Sequence, residues 1–208
     1  MTFERARSAS GADNVLRRVC VFCGSSTGVR PEYRAAAEEV AVLLAERDVA
    51  IVFGGGCVGL MGVVADTALA HGGHVIGVIP SAMVAREIAH LGLPDLRIVG
   101  SMHERKALMA ELSDAFLALP GGFGTFEEFC EAVTWTQLGL HRKSCGLLNV
   151  AGYYDPLVAL FDRAVADGFI KPETRRIVAV ESNPAALIQR LTERPPTAGP
   201  QSIRPEEV

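Results

Sequence analysis

An apolar run, Ala115-Phe116-Leu117-Ala118-Leu119, empties into Pro120-Gly121-Gly122-Phe123-Gly124-Thr125-Phe126-Glu127-Glu128, and this junction restricts the fold more than any other stretch. Five apolar residues without a charge read as a strand covered on both faces, as in a parallel sheet between helices. The pattern from Phe126 to Leu138 is helical, so the junction is a strand-to-helix turn made mostly of glycine. Gly121, Gly122 and Gly124 are expected to adopt backbone angles closed to other residues and to let a ligand approach the main chain. The helix behind them opens with unpaired N–H groups and a partial positive charge, which together make an anion site. Thr125 can cap that helix or give its hydroxyl to a phosphate oxygen. The helix dipole favours acidic residues in a first turn, and that accounts for either Glu127 or Glu128 alone. Two carboxylates at the lip of an anion site point further, to chemistry on whatever the phosphate is attached to.

The same alternation runs through the chain. Arg18–Cys23 reads as a strand ending in the polar loop Gly24-Ser25-Ser26-Thr27-Gly28, and Pro31 opens a helix through Arg47. Val49–Phe53 is a second strand. It runs into Gly54-Gly55-Gly56-Cys57-Val58-Gly59 and a helix, Leu60–Ala70. The G-x-G-x-x-G spacing fits a dinucleotide turn, but the following strand, His74–Ile79, ends in Pro80-Ser81 with no acid for an adenosine ribose. Gly55 and Gly56, with Ser25, are read instead as a second turn facing the phosphate or ribose of a mononucleotide. A short helical piece covers Met83–His90 and holds Arg86 and Glu87. A strand, Leu96–Val99, then leads to a helix from Met102 to Leu112. Further strands at Cys145–Val150 and Ile177–Val180 enclose a helix at Leu157–Asp167, and a last helix ends at Leu191. Strands alternating with helices predict an α/β fold with a doubly wound parallel sheet in three layers. Residues 18–191 form one domain, Met1–Arg17 a disordered leader and Thr192–Val208 a disordered tail.

Composition excludes several classes. Hydrophobic residues make up 49% and charged residues 21%, which rules out global disorder. A net charge of -4 argues against nucleic acid as a partner. The chain has no apolar run long enough for a membrane span and no apolar segment of a secretory signal near its start. Cys20, Cys23, Cys57, Cys130 and Cys145 are odd in number and scattered, as in a protein of the reducing cytoplasm. Cys20 and Cys23 lie in a strand, where positions three apart face opposite sides, so a metal or redox role does not follow. His71 and His74 straddle a turn with no third ligand nearby.

Lys106 is one of only three lysines, with Lys143 and Lys171, among 20 basic side chains. Arg105 and Lys106 fall in the first turn of their helix, where cations oppose the dipole. A bound anion or a carboxylate partner would explain them. The helix Phe126–Leu138 carries Phe129, Val133, Trp135 and Leu138, more than one apolar stripe, so it must bury more than one face: against the sheet, and against a second copy of the chain or a deeper core.

The signature Pro120-Gly121-Gly122-x-Gly124-Thr125-x-x-Glu128 resembles that of the LONELY GUY (LOG) family, cytokinin riboside 5'-monophosphate phosphoribohydrolases. The likeness extends in order through Cys23–Ser26, Phe53–Gly56, Gly59–Gly62, Val78–Pro80, Met102–Lys106, Thr134–Gly139 and Gly146–Asn149, covering residues 18–191. Ser144 departs from it, standing where relatives often have proline. The resemblance implies a Rossmann-like fold, a homodimer with helix 126–138 near its interface, and hydrolysis of the N-glycosidic bond of a nucleoside 5'-monophosphate to a free base and ribose 5-phosphate. It implies no cofactor and no metal. Carried over by residue, it implies catalysis by Arg105 and Glu128. It implies substrate contacts at Glu87, Lys106, Gly121, Gly122, Gly124, Thr125, Glu127 and Thr134. An anion beside C1' would stabilise the cationic sugar of such a reaction, and Arg105 is expected to hold Glu128 ionised. Two readings compete: a nucleotide carrier on the same fold, which needs no carboxylate beside C1', and a pyridoxal-phosphate decarboxylase, which needs a Schiff-base lysine.

Overall fold

A computed structural model of the chain describes residues 16–84 and 88–193. Seven strands form one sheet: β1 (Arg18–Phe22), β2 (Ala50–Phe53), β3 (Val75–Pro80), β4 (Asp95–Val99), β5 (Ala115–Ala118), β6 (Ser144–Leu148) and β7 (Val178–Glu181). Their order is β4-β3-β2-β1-β5-β6-β7, and every pairing is parallel. The chain thus winds outward from β1 to β4, crosses back and winds outward again from β5. The reversal falls between β1 and β5, which pair with Phe22 opposite Ala118. In open α/β sheets, ligands bind at the carboxyl ends of the strands at such a reversal.

Alternation along the strands divides the core. Val19, Val21 and Cys23 point into a layer shared with α1 (Pro31–Glu46), α2 (Gly59–Ala70) and α8 (Pro184–Thr192). Cys20 and Phe22 point the other way, toward α4 (Met102–Leu112) and α5 (Phe123–Gln137), with α6 (Asp155–Ala166) packed outside. Cys20 and Cys23 therefore lie on opposite faces, as a period of two requires. The sheet between two helical layers is the three-layer arrangement expected from the alternation.

Local signals fix the helix starts. Pro31 and Pro184 occupy first helical positions, where a missing N–H costs nothing. Ser101 caps α4 by accepting the Glu104 N–H (3.1 Å), and the Glu104 carboxylate accepts the Gly100 N–H (2.9 Å). Gly168, at φ +82°, ends α6.

Four expectations are corrected. The helix after the glycine turn begins at Phe123, three residues early, so Glu127 and Glu128 stand in its second turn. Of the helical piece assigned to Met83–His90, Met83 and Val84 belong to α3 (Ser81–Val84), whereas Ala89 bridges Gly56 and the Ile88 carbonyl accepts the Cys57 N–H (2.9 Å). A short α7 (Pro172–Arg175) was not foreseen. Leu16, assigned to the leader, is buried in the core, and the Arg17 and Arg18 N–H groups donate to the Asp114 carboxylate (3.0 and 2.8 Å). The remainder of the leader and the tail beyond Glu193 lie outside the described residues. Among the described residues no helix is long and apolar enough to cross a membrane.

Candidate active site

The loops after β1 and β5 meet at the sheet's carboxyl edge, where the Gly24 N–H donates to the Pro120 carbonyl (3.1 Å). The start of α2 joins them, since the Leu60 N–H donates to the Gly24 carbonyl (3.0 Å). Gly59 has φ +60°, and a Cβ there would overlap the Ser25 main chain. The contact needs glycine twice over, for conformation and for space.

The turn Gly121–Thr125 works differently from the expectation. None of Gly121, Gly122 and Gly124 is among the residues with positive φ. Gly121 is required by crowding: a Cβ would overlap the Thr125 hydroxyl and come within 2.8 Å of the Gly24 nitrogen. Around Gly122 and Gly124 there is open space, which leaves the main chain uncovered. Gly122 is the N-cap of α5, so Thr125 does not cap it; its side chain is buried against Gly121 instead. The first intrahelical bond is Phe126 N–H to Gly122 carbonyl (3.1 Å), which leaves the N–H groups of Phe123, Gly124 and Thr125 ahead of it. Two tyrosines brace the turn from beneath. Tyr154 OH donates to the Leu119 carbonyl (2.7 Å), and Tyr153 OH donates to the Gly121 carbonyl.

A cleft of about 330 Å³ opens above this junction, walled by Ser25, Gly54, Arg105, Gly122, Gly124, Thr125 and Glu128. Met61, Met83, Met102 and Phe123 add an apolar side. A second hollow of about 220 Å³ adjoins it through Gly24, Ser25 and Gly122, and Gly121, Tyr33 and Tyr153 line it.

Arg105 and Glu128 form the charged pair of the cleft. Nη1 of Arg105 lies 3.2 Å from Oε1 of Glu128, and the two side chains are 9% and 10% exposed. The Arg105 Nε–H donates to the Val78 carbonyl within β3 (3.2 Å), which fixes the guanidinium plane. Gly54 makes room for it, because any Cβ there would overlap the guanidinium. Burial and the Arg105 charge act on Glu128 in opposite directions. Burial pushes the Glu128 carboxyl above the ordinary range, and the pull of Arg105 downward does not cancel that. Cys23 lines the same cleft, but burial pushes its thiol well up, so it is a neutral side chain rather than a nucleophile.

Lys106 sits behind this pair. Its ammonium donates to Glu127 and, at 3.0 Å, to Glu131, and its side chain is largely buried. Burial alone would lower its pKa, but the hydrogen bonds to Glu127 and Glu131 outweigh that and raise it. Of the residues singled out in the sequence, the structure gathers Ser25, Arg105, Gly122, Gly124, Thr125 and Glu128 at the cleft, with Gly121 in the adjoining hollow. Lys106 and Glu127 stand next to them. Gly55 and Gly56 do not line the cleft; the Gly55 carbonyl accepts the His90 N–H (2.8 Å), Gly56 bridges Ala89, and Gly54 occupies the cleft wall. Thr134 is exposed, bonded to the Cys130 carbonyl (2.7 Å), and faces a groove between α5, α6 and α7. Glu87 lies outside the described residues. Sequence reasoning missed Gly54, the three methionines, Tyr153, Tyr154 and Glu131. Only Glu131 carried a signal, its spacing of three and four residues from Glu128 and Glu127 on one helix.

Residues 61–191 match a family model described as "Possible lysine decarboxylase". The chain is 54% identical over 181 residues to the "Probable cytokinin riboside 5'-monophosphate phosphoribohydrolase LOGL9" of Oryza sativa subsp. japonica, covering 87% of this chain and 80% of that protein. It is 51% identical over 182 residues to the "Cytokinin riboside 5'-monophosphate phosphoribohydrolase LOG7" of Arabidopsis thaliana, covering 87% and 83%. The chain belongs to the LOG family. Among solved structures, the LOG chain is similar in fold to the molybdenum cofactor binding protein of Rippkaea orientalis (TM-score 0.64, 21% identity, 84% of this chain and 94% of that one). It is equally similar to the molybdenum cofactor carrier protein of Chlamydomonas reinhardtii (TM-score 0.64, 22% identity, 85% and 98%). At such identities the likeness concerns the Rossmann-like fold alone. The decarboxylase description finds no Schiff-base lysine among the described residues of the LOG cleft. Lys106 is held by two carboxylates, Lys143 donates to the Ala110 carbonyl, and Lys171 is the N-cap of α7.

Proposed function

We propose that the protein hydrolyses the N-glycosidic bond of cytokinin riboside 5'-monophosphates, N6-substituted AMP and AMP itself, releasing the free base and ribose 5-phosphate. The observation that carries this reading is the Arg105–Glu128 pair, buried in a cleft whose rim is the glycine turn, in a chain about half identical to relatives bearing that activity in their names.

The 5'-phosphate binds the uncovered N–H groups at Gly122–Thr125 and the Thr125 and Ser25 hydroxyls, using the start of α5. That anchor positions C1' toward Glu128, so much of the entropic cost of alignment is met before reaction. As the C–N bond lengthens, positive charge grows on the sugar, and the Glu128 carboxylate stabilises it. The same carboxylate takes a proton from the attacking water, whose oxygen bonds C1' while the bond's electron pair leaves with the base; the base picks up a proton from solvent as Glu128 gives its own back. The raised pKa of Glu128 makes it a better base than an exposed carboxylate. Arg105 orients it and keeps its ionised form accessible. Met61, Met83, Met102 and Phe123 offer an apolar wall to the base and its N6 substituent. The reading includes a cytoplasmic protein, which five free cysteines support. It also includes a homodimer joined near α5.

Chromatography of the purified protein with isopentenyladenosine 5'-monophosphate, its riboside and AMP tests the reading. Base is expected from the monophosphates and not from the riboside. Binding of the nucleotides with no base released from any would replace hydrolysis with the carrier reading.

A further inference from the structure

On the hydrolase reading just given, we propose that Glu131, which does not line the cleft, is a positioning residue for the reaction: together with Lys106 it sets the charge that Glu128 experiences from behind. Glu131 lies one turn beyond Glu128 on α5, and its carboxylate is 3.0 Å from the Lys106 ammonium. Lys106, Glu128 and Glu131 share with Phe22, Phe116 and Trp135 the wall of a narrow niche of about 10 Å³. That is room for one water at most. Solvent reaches the three groups only in part, the side chains of Lys106, Glu128 and Glu131 being 15%, 10% and 30% exposed, so their mutual effects exceed those of surface charges.

The groups facing Glu128 come from three elements. From α4 come Arg105 and Lys106, from α5 Glu127 and Glu131, and from β1 the neutral thiols of Cys20 and Cys23. Two cations thus face three carboxylates, and the cluster carries one negative charge in excess. Glu127 is 54% exposed at its side chain and Glu131 30%, so solvent screens Glu131 less. The negative charge of Glu131 opposes ionisation of Glu128, while its hydrogen bond holds Lys106 where the ammonium favours it. Burial is the first cause of the raised Glu128 carboxyl, Arg105 and Lys106 pull it down, and the Glu131 charge adds to the rise.

The test compares Glu131→Gln, Glu131→Asp and Lys106→Met with the wild type in the full chain. The pH profile of kcat for base release is recorded together with a carbon NMR titration of the Glu128 carboxyl in the free protein. In Glu131→Gln the amide oxygen still accepts from Lys106 and only the charge is lost. The Glu128 midpoint is expected to fall by about 0.5 pH unit or more, with KM near that of the wild type. Lys106→Met is expected to raise it, and Glu131→Asp, which keeps the charge, to stay close to the wild type. A midpoint unmoved in Glu131→Gln, or moved upward, overturns the proposal. If the wild type releases no base, the hydrolase reading fails by itself, and the NMR titration alone decides the influence of Glu131.

Discussion

Glu128 and Arg105 divide the work of one charge. Glu128→Gln preserves shape and hydrogen-bonding capacity but removes the anion that the proposed mechanism sets beside the cationic sugar. Base release is expected to be abolished while equilibrium binding of the nucleotide stays near that of the wild type, as isothermal titration would read it. Turnover at the normal rate in this variant would remove Glu128 from the mechanism. Arg105→Ala is expected to lower kcat by about 100-fold or more, in the range of lost electrostatic preorganisation. Both residues were legible in the sequence, one from its place at the lip of a glycine turn and the other from a cation placed against a helix dipole. Their balance was not legible. Whether burial or the ion pair governs the Glu128 carboxyl depends on how much solvent reaches it, and its side chain proves 10% exposed because Gly54 lets the guanidinium close over the floor. Gly54 itself read as one glycine among three. Its role exists only once β2, β3 and α4 are brought together.

At the scale of elements, the order of strands and helices followed from short apolar runs ending in glycine, and the ends of elements were the part that shifted. Helix α5 starts early because Gly122 supplies an extended cap and Phe123 to Thr125 continue into helix without a side-chain cap. Ile88 and Ala89 leave the helix pattern because their backbone pairs with the second glycine loop at Gly56 and Cys57, a tertiary contact absent from local periodicity. Tyr153 and Tyr154, after β6, hold the end of β5 and the turn above it. Tyr154→Phe would strand the buried Leu119 carbonyl, a cost of about 1–3 kcal/mol. Each kcal/mol corresponds to roughly 2–4 °C in Tm for a chain of this size. A thermal melt should show that loss, and a raised KM should accompany it as the turn above loosens. Entry to β6 carries a second polar device. The His141 Nδ1 faces the Thr136 hydroxyl (3.2 Å) and accepts the Lys143 N–H (3.3 Å), while Nε2 is buried with no hydrogen-bond partner among the described residues. Burial first, and then the nearby Lys143 charge, depress this imidazole to about 4. Between about 6.5, the ordinary histidine value, and about 4 the unfolded chain binds a proton that the folded chain refuses. Stability therefore falls as pH falls through that window. The raised Glu128 carboxyl acts in the opposite sense, so a variant is needed to isolate the imidazole. His141→Phe should flatten the acid-side decline in Tm, and an unchanged slope would assign it to other groups.

The whole molecule leaves apolar surface uncovered on one side of the sheet. Part of the second stripe of α5 finds partners within the chain: Phe126 stacks on Tyr153 at 6.4 Å, and Val133 and Trp135 pack with the core layer that Phe161 joins. The deeper-core alternative thus accounts for that part. It does not account for the apolar side of α6, of which Leu157, Val158 and Phe161 are only partly buried, nor for Leu138, Leu140, Leu160 and Phe169, which are exposed. A groove of about 140 Å³ runs between α5, α6 and α7, and Cys130, Val133, Thr134, Phe161 and Ile170 line it. Scattered exposed apolar residues need no explanation, but a helix only partly buried beside an apolar groove favours a partner. A second copy seated there would satisfy the homodimer of the proposed function. It would also place Thr134, which turns away from its own cleft, at the boundary between subunits. Light scattering on the purified protein should accordingly give twice the chain mass. Leu160→Glu with Phe169→Glu should halve it by placing charges in the contact. If the wild type proves a monomer, or if the double variant remains a dimer, the α6 face is not the seam.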